Sequence, residues 1–336
     1  MAGRDYAASR GEYLNSKVLA KYLGFDFIDA GKYIFFDDQG NFDWTKTEAK
    51  LAPKLAKTNK AVIPGFYGSM PNGTIKTFSR GGSDVTGSIV ARAAKAKLYE
   101  NWTDVSGCLI CDPRIVNNPE PIKTITYREL RELAYMGATV LHEDAIFPVR
   151  AAGIPVNIKN TNQPEDRGTM IVSESAEHCD HIITGIAGKK GMSVINIEKD
   201  KMNSEIGFGK NVLRALEKSN VSFEHMPSGV DTMSVVIATE ALAGKETAII
   251  DEIKSRVHPD QIYIESNLAL IAVVGRGMKS ARGTAAILFS ALADARVNIK
   301  MIDQGSSELN IIVGVEEEDF EVAIKAIYKR FIGINQ

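Results

Sequence analysis

The sequence predicts an α/β domain built on a mostly parallel sheet, followed by a duplicated α+β module. Three observations carry this. Short apolar strands alternate with helices up to about residue 172. A second pattern then repeats at a fixed offset of 76 residues. The composition, 44% hydrophobic and 24% charged over 336 residues, is that of a globular chain with room for two or three domains.

Taken in order, Glu12 to Leu23 reads as an amphipathic helix, with Leu14, Val18 and Leu19 on one side and Lys17 and Lys21 on the other. Ala61 to Phe66 reads as a strand running into a glycine turn. Ser79-Arg80-Gly81-Gly82-Ser83-Asp84 is a glycine-rich turn, and an Ala-rich helical run follows from Ile89 to Lys97. Glycines let the backbone turn tightly and approach a ligand, and the helix end behind them presents free N–H groups to an anion. Arg80 can grip a carboxylate with two parallel hydrogen bonds. Thr126 to Met136 opens with Thr-Tyr-Arg-Glu, the spelling of a capping box. Ile154 to Ile158 is another short strand. Ligands of such sheets bind beyond the carboxyl ends of the strands. The turns at Gly65, Gly81-Gly82 and Thr103-Asp104 follow apolar segments and are expected to gather on one edge.

In the second part Met202 matches Met278, Gly207 matches Gly283, Leu216 matches Leu292, Val221 matches Val297 and Gly229 matches Gly305. Each copy reads as strand, Gly-containing loop, helix, β-branched strand, Gly turn and strand. One copy is too small to bury much core, so the two should pack together.

The formal net charge is −2 and no Lys/Arg block occurs, which points away from nucleic acid and membrane surfaces. No apolar run would span a bilayer, and the polar start Met1-Ala2-Gly3-Arg4-Asp5 is not a signal peptide; a cytoplasmic protein is expected. Cys108 and Cys111 form a Cys-x-x-Cys pair, and Cys179 lies between His178 and His181. A second closely spaced ligand pair is lacking, so reduced thiols are expected rather than zinc.

Several segments, in order, resemble the aspartate kinase branch of the amino acid kinase family. They are Ser9-Arg10-Gly11-Glu12, Gly65-Phe66-Tyr67-Gly68, Ser79 to Asp84, Trp102-Thr103-Asp104-Val105, Asp112-Pro113-Arg114, Gly137 to His142, Lys159-Asn160-Thr161 and Gly168-Thr169. The repeat resembles the paired ACT regulatory domains that follow such a kinase domain. The resemblance implies a three-layer amino acid kinase (carbamate kinase-like) domain over 1–175 and two ferredoxin-like ACT domains over 180–258 and 262–336. The final segment, about Asp319 to Phe331, would fold back onto the first ACT module.

The implied reaction moves the γ-phosphoryl of ATP, with Mg²⁺, onto the side-chain carboxylate of L-aspartate. By resemblance Arg80 and Asp84 are catalytic, Arg80 holding the substrate α-carboxylate and Asp84 orienting the reacting groups. Glu12 would hold the substrate ammonium, and Ser83 would add a hydrogen bond. Thr103, Asp104, Leu109, Arg114, Thr139 and Val140 would contact the nucleotide. Taken as plain residues, Glu12 could be a first-turn acid, Asp104 and Asp112 turn formers, and Arg114 a partner of Asp112. His142 reads as structural. Met202, Ser204, Gly207, Phe208, Val230 and Asp231 would form an effector site for lysine or threonine, although Met202 and Phe208 also read as core residues. Homodimers through the ACT modules are expected.

The chain departs from the family at four points. It has no Lys-Phe-Gly-Gly-Ser-Ser phosphate loop, which implies an N-terminally incomplete kinase domain of little activity and, as an alternative, an amino-acid-sensing regulatory subunit. Thr139 stands where a lysine is frequent, and Leu109 where a tyrosine is. Glu143 follows His142 where proline is common. A glutamate or acetylglutamate kinase is disfavoured by Ser9-Arg10-Gly11-Glu12 together with the tandem repeat.

Overall fold

The structure, a computed structural model, describes residues 3–79, 81–138, 143–174 and 181–333. It divides into two compact units. The first comprises the described residues of 1–108, 121–134 and 139–176, the second those of 109–120, 135–138 and 177–336.

The first unit opens with α1 (Arg4–Leu23), which ends at Gly24 in the left-handed region. β1 (Asp26–Phe27) and β2 (Ala61–Val62) pair in parallel, with α2 (Trp44–Leu55) between them in sequence. β3 (Tyr67–Ser69) and β4 (Ile75–Thr77) form a hairpin, and α3 (Gly82–Ala93) follows. β5 (Tyr99–Thr103), β6 (Thr124–Thr126), β7 (Val156–Asn160) and β8 (Thr169–Val172) make a sheet in the order β5-β7-β8-β6. α4 (Tyr127–Tyr135) and α5 (Glu143–Ala151) complete the set, α5 packing on α3. The core gathers Ile34, Leu51, Tyr67 and Ile89.

Four local expectations are corrected. The sheet is mixed, because β7 and β8 run antiparallel. α1 buries Ser9, Ser16 and Ala20, with Tyr13 edge-on to Phe27 at 5.4 Å. Its Leu14 and Val18 are exposed (59% and 69%): the small residues allow closer approach than the apolar stripe would. α3 begins at Gly82 rather than Ile89, the glycine turn itself forming the first helical turn, and ends before Lys95, whose φ is +51°. Only Ala61–Val62 of the predicted 61–66 strand pairs, since Pro64 has no N–H to give and Phe66 takes φ +61°.

The second unit holds β9 (Gly185–Glu198), α6 (Phe208–Lys218), β10 (Thr232–Ala238), α7 (Thr239–Leu242), α8 (Glu246–Val257), β11 (Gln261–Val274), α9 (Thr284–Asp294), β12 (Ile299–Asp303), β13 (Asn310–Glu316) and α10 (Phe320–Phe331). Its antiparallel sheet runs β10-β9-β11-β13-β12. β9 and β11 are each 14 residues long. The 192–198 half of β9 pairs with β10, and residues 194–198 also with 261–265 of β11; residues 185–189 pair with 270–274. The repeat is physical: Gly207 and Gly283 both take φ +86° at the starts of α6 and α9, and Leu216 and Leu292 are both buried. α6 and α8 bury Val212, Leu216, Ile249 and Ile253 with Ile195 and Val235. α10 packs on α9 and also touches β11 and β9. Among the described residues no helix is long and apolar enough to cross a membrane.

The capping box forms as spelled. Thr126 N–H and Oγ1 donate to the buried Glu129 carboxylate at 2.9 and 2.7 Å, and Glu129 N–H donates to Thr126 Oγ1 at 3.3 Å. We expect Thr126→Ala to lower the unfolding free energy of the chain by about 1–2 kcal/mol, the usual range for a lost cap; urea denaturation monitored by circular dichroism checks it.

Candidate active site

The glycine-rich turn and the Gly65-Phe66 turn touch. A Cβ on Gly82 would lie 2.6 Å from Phe66 Cβ, and one on Gly65 would lie 3.0 Å from Ser83 Oγ. Neither turn could approach the other with a side chain in place. Phe66 is held in its left-handed conformation by two bonds. Its N–H donates to Thr86 Oγ1 on α3 (2.9 Å), and its carbonyl accepts from Phe78 N–H (2.9 Å). Gly81, at φ +55°, caps α3. The contact sets Ser83 at the surface and Asp84, half-buried, in the first turn of α3.

Asp84 is fixed from the sheet. Asn101, buried on β5, donates through Nδ2 to Asp84 Oδ1 at 2.8 Å and to Tyr99 Oη at 3.0 Å. Tyr99 Oη in turn donates to the Asp84 carbonyl at 3.4 Å, and Gly87 leaves space for the phenol, since a Cβ there would meet Tyr99 Oη at 2.5 Å. Burial raises the Tyr99 phenol above its ordinary range, so it stays a neutral donor. Asn101 was missed at the sequence level; its only signal is a polar residue facing inward on a short strand. Arg80 lies outside the described residues. Glu12 is exposed on α1, whose start is tied to β4 by Thr77 N–H donating to Asp5 (3.2 Å).

β5 ends two residues beyond Asn101, at Thr103. Thr103 Oγ1 donates to Asp104 (3.1 Å), and the Thr103 carbonyl accepts from both N–H and Oγ1 of Thr161 (2.8 and 2.9 Å). Beside them Ser106 Oγ donates to Asp166 (2.5 Å) and accepts from Asn160 Nδ2 (3.0 Å). Lys159 donates to the Asp166 carbonyl. A polar network thus collects at the carboxyl ends of β5 and β7, where α/β sheets bind ligands. Ser106 and Asp166 were not singled out from the sequence.

In the second unit, Leu109 is 37% exposed. Arg114 pairs with Asp112 at the surface, with Nη2 at 2.7 Å and Nε at 3.0 Å from the two carboxylate oxygens. That pairing holds the Asp112 carboxyl below the usual range. Thr139, Val140 and His142 lie outside the described residues, as do His178 and Cys179.

The two loops expected to hold an effector come together. Lys201 N–H donates to Asp231 Oδ1 (2.7 Å), Lys199 N–H to the Asp231 carbonyl (2.8 Å), and Asn203 N–H to the Val230 carbonyl (3.1 Å). Ser204, Gly207, Val230 and Asp231 are exposed. Met202 and Phe208 are instead packed in the core with Val212 and Met233, so their side chains anchor the loop and are not presented at its surface.

Among the described residues no group of three or more His, Cys, Asp or Glu side chains could hold a metal ion. Cys108 and Cys111 are buried free thiols, and burial pushes them up to about 12 and about 11. The thiolate is the reactive form. We therefore expect both cysteines in the native chain to alkylate with iodoacetamide at pH 8 at least about a hundredfold more slowly than in denaturant; peptide mapping reads the two positions.

Comparison with known proteins shows what the chain resembles as a whole. A model described as "Amino acid kinase family" matches residues 1–160, and one described as "ACT domain" matches residues 271–331. Aspartokinase 3 of Bacillus subtilis is 40% identical over 337 residues, covering 97% of this chain and 74% of that protein. The crystal structure of the Clostridium acetobutylicum aspartate kinase is 60% identical, with a TM-score of 0.92 over 98% of this chain and 76% of that one. Escherichia coli aspartokinase III is 25% identical in two structures. One is a complex with aspartate and ADP (TM-score 0.73, 95% of this chain, 72% of that one), the other with lysine and aspartate (TM-score 0.74, 98% and 75%).

Proposed function

The chain belongs to the aspartokinase family, and from that premise we propose that its first unit transfers the γ-phosphoryl of MgATP to the side-chain carboxylate of L-aspartate. The observation that carries this reading is the Gly65–Ser83 and Phe66–Gly82 contact. It presents the N-terminal amides of α3 and the Asp84 carboxylate on one glycine-walled turn, with Asn101 fixing Asp84 from behind. Phosphoryl transfer asks for positioning and charge neutralisation more than for covalent catalysis. On this reading Arg80 takes the substrate α-carboxylate, Glu12 its ammonium and Ser83 a further hydrogen bond. Asp84 orients the reacting groups. Thr103 and Asp104, with Leu109, Arg114, Thr139 and Val140, meet the nucleotide, and Mg²⁺ enters with it. The E. coli relative solved with aspartate and ADP supports this reading.

The second unit is proposed to sense lysine, alone or with threonine. Asp231 uses one carboxylate oxygen on Lys201 N–H and stands exposed beside Ser204 and Gly207, a suitable anionic partner for a cationic amino acid. A ligand that prefers one arrangement of these loops shifts the populations of the whole chain. The E. coli relative solved with lysine supports the same idea. Two copies of the chain are proposed to pair through this unit.

Aspartyl-hydroxamate formation from aspartate and MgATP tests the first proposal. We expect Asp84→Asn to lower turnover about 10²–10³-fold, the scale of removing one group aimed at developing charge; undiminished turnover in Asp84→Asn would overturn the assignment. For the second proposal, lysine should raise the melting temperature of the chain, and Asp231→Ala should abolish the rise. A rise that survives Asp231→Ala places the effector elsewhere.

A further inference from the structure

The segment 109–120 carries Leu109 and Arg114, yet it is built on the second unit. Ile110, buried, accepts a backbone hydrogen bond from Ile186 N–H of β9 at 2.7 Å. Ile110 N–H donates to the Glu120 carbonyl at 2.9 Å, which closes the segment into a loop with its two ends side by side. Glu120 is then held twice more. Its N–H donates to Tyr328 Oη on α10 at 3.0 Å, and its carboxylate lies 3.0 Å from His181 Nε2. The tip of the loop, with the Asp112–Arg114 pair, therefore projects from a base fixed to β9, to the lead-in at His181 and to α10. Ala323, Ile324 and Ile327 are buried on α10, which packs on α9, so the helix that brings Tyr328 is itself rigidly seated.

We propose that Tyr328 is a positioning residue for the nucleotide. Its hydroxyl satisfies the Glu120 amide, and α10 thereby sets where Leu109 and Arg114 are held. The proposal rests on the reading of those two residues as nucleotide contacts. It follows that a rearrangement of α10 is felt as a change in nucleotide affinity and not in aspartate affinity, because no residue of the loop is assigned to aspartate.

Tyr328→Phe removes the hydroxyl and keeps the ring. By isothermal titration calorimetry we expect MgADP to bind about 3- to 10-fold more weakly, the scale of one backbone amide losing its partner, with aspartate affinity unchanged. Hydrogen exchange of the peptide spanning 109–122 should quicken, and the melting temperature should hold. Tyr263→Phe, at an exposed position of β11, is the control and should change none of these. Unchanged MgADP affinity in Tyr328→Phe overturns the proposal. So does an equal loss of MgADP and aspartate binding, which would mean general loosening. A parent chain that binds aspartate but not MgADP overturns the nucleotide reading itself, and this inference falls with it.

Discussion

Space denied to a single Cβ organises the first unit's site. Gly82 has Phe66 against it where any side chain would stand, and Gly65 has Ser83. Two backbones in van der Waals contact leave little slack, so the first turn of α3 is placed by packing and not by the hydrogen bonds around it. Those bonds then hold what the packing has placed. Thr86 keeps Phe66 in a conformation that a bulky residue rarely adopts, and Asn101 aims the Asp84 carboxylate. The arrangement suits chemistry in which geometry is the main contribution of the protein.

Much of this was legible in the letters. The capping box at Thr126 and Glu129 forms as its spelling requires, because all three of its bonds are local to one turn. The 76-residue repeat survives as matching left-handed glycines before α6 and α9. What was not legible depends on partners distant in sequence. The exposed Leu14 and Val18 of α1 look like a core stripe until the closer approach allowed by Ser9, Ser16 and Ala20 is known. Asn101 looks like any strand residue until Asp84 arrives from 17 positions away. Arg114 reads by resemblance as a nucleotide contact and, taken alone, as a partner for Asp112; the structure shows the Asp112 pair, on an exposed guanidinium.

The two loops proposed to hold an effector divide the labour between side chain and surface. Met202 and Phe208 sink into the core and fix the ends of one loop, so the residues between them are displayed without being free to collapse. Backbone bonds to Val230 and Asp231 stitch the second loop to the first. Of the two kinds of residue, only the displayed ones can change without cost to the core.

β9 and β11 pair along most of their length, but the register slips between Glu265 and Leu270, so the ladder is bulged where the β10-paired half of β9 gives way to the β13-paired half of β11. Asn267 and Gly191 both take positive φ at that bulge. A bulge bends a strand and raises its local twist. The ladder therefore has a built-in corner between its two halves, and each half keeps its own register.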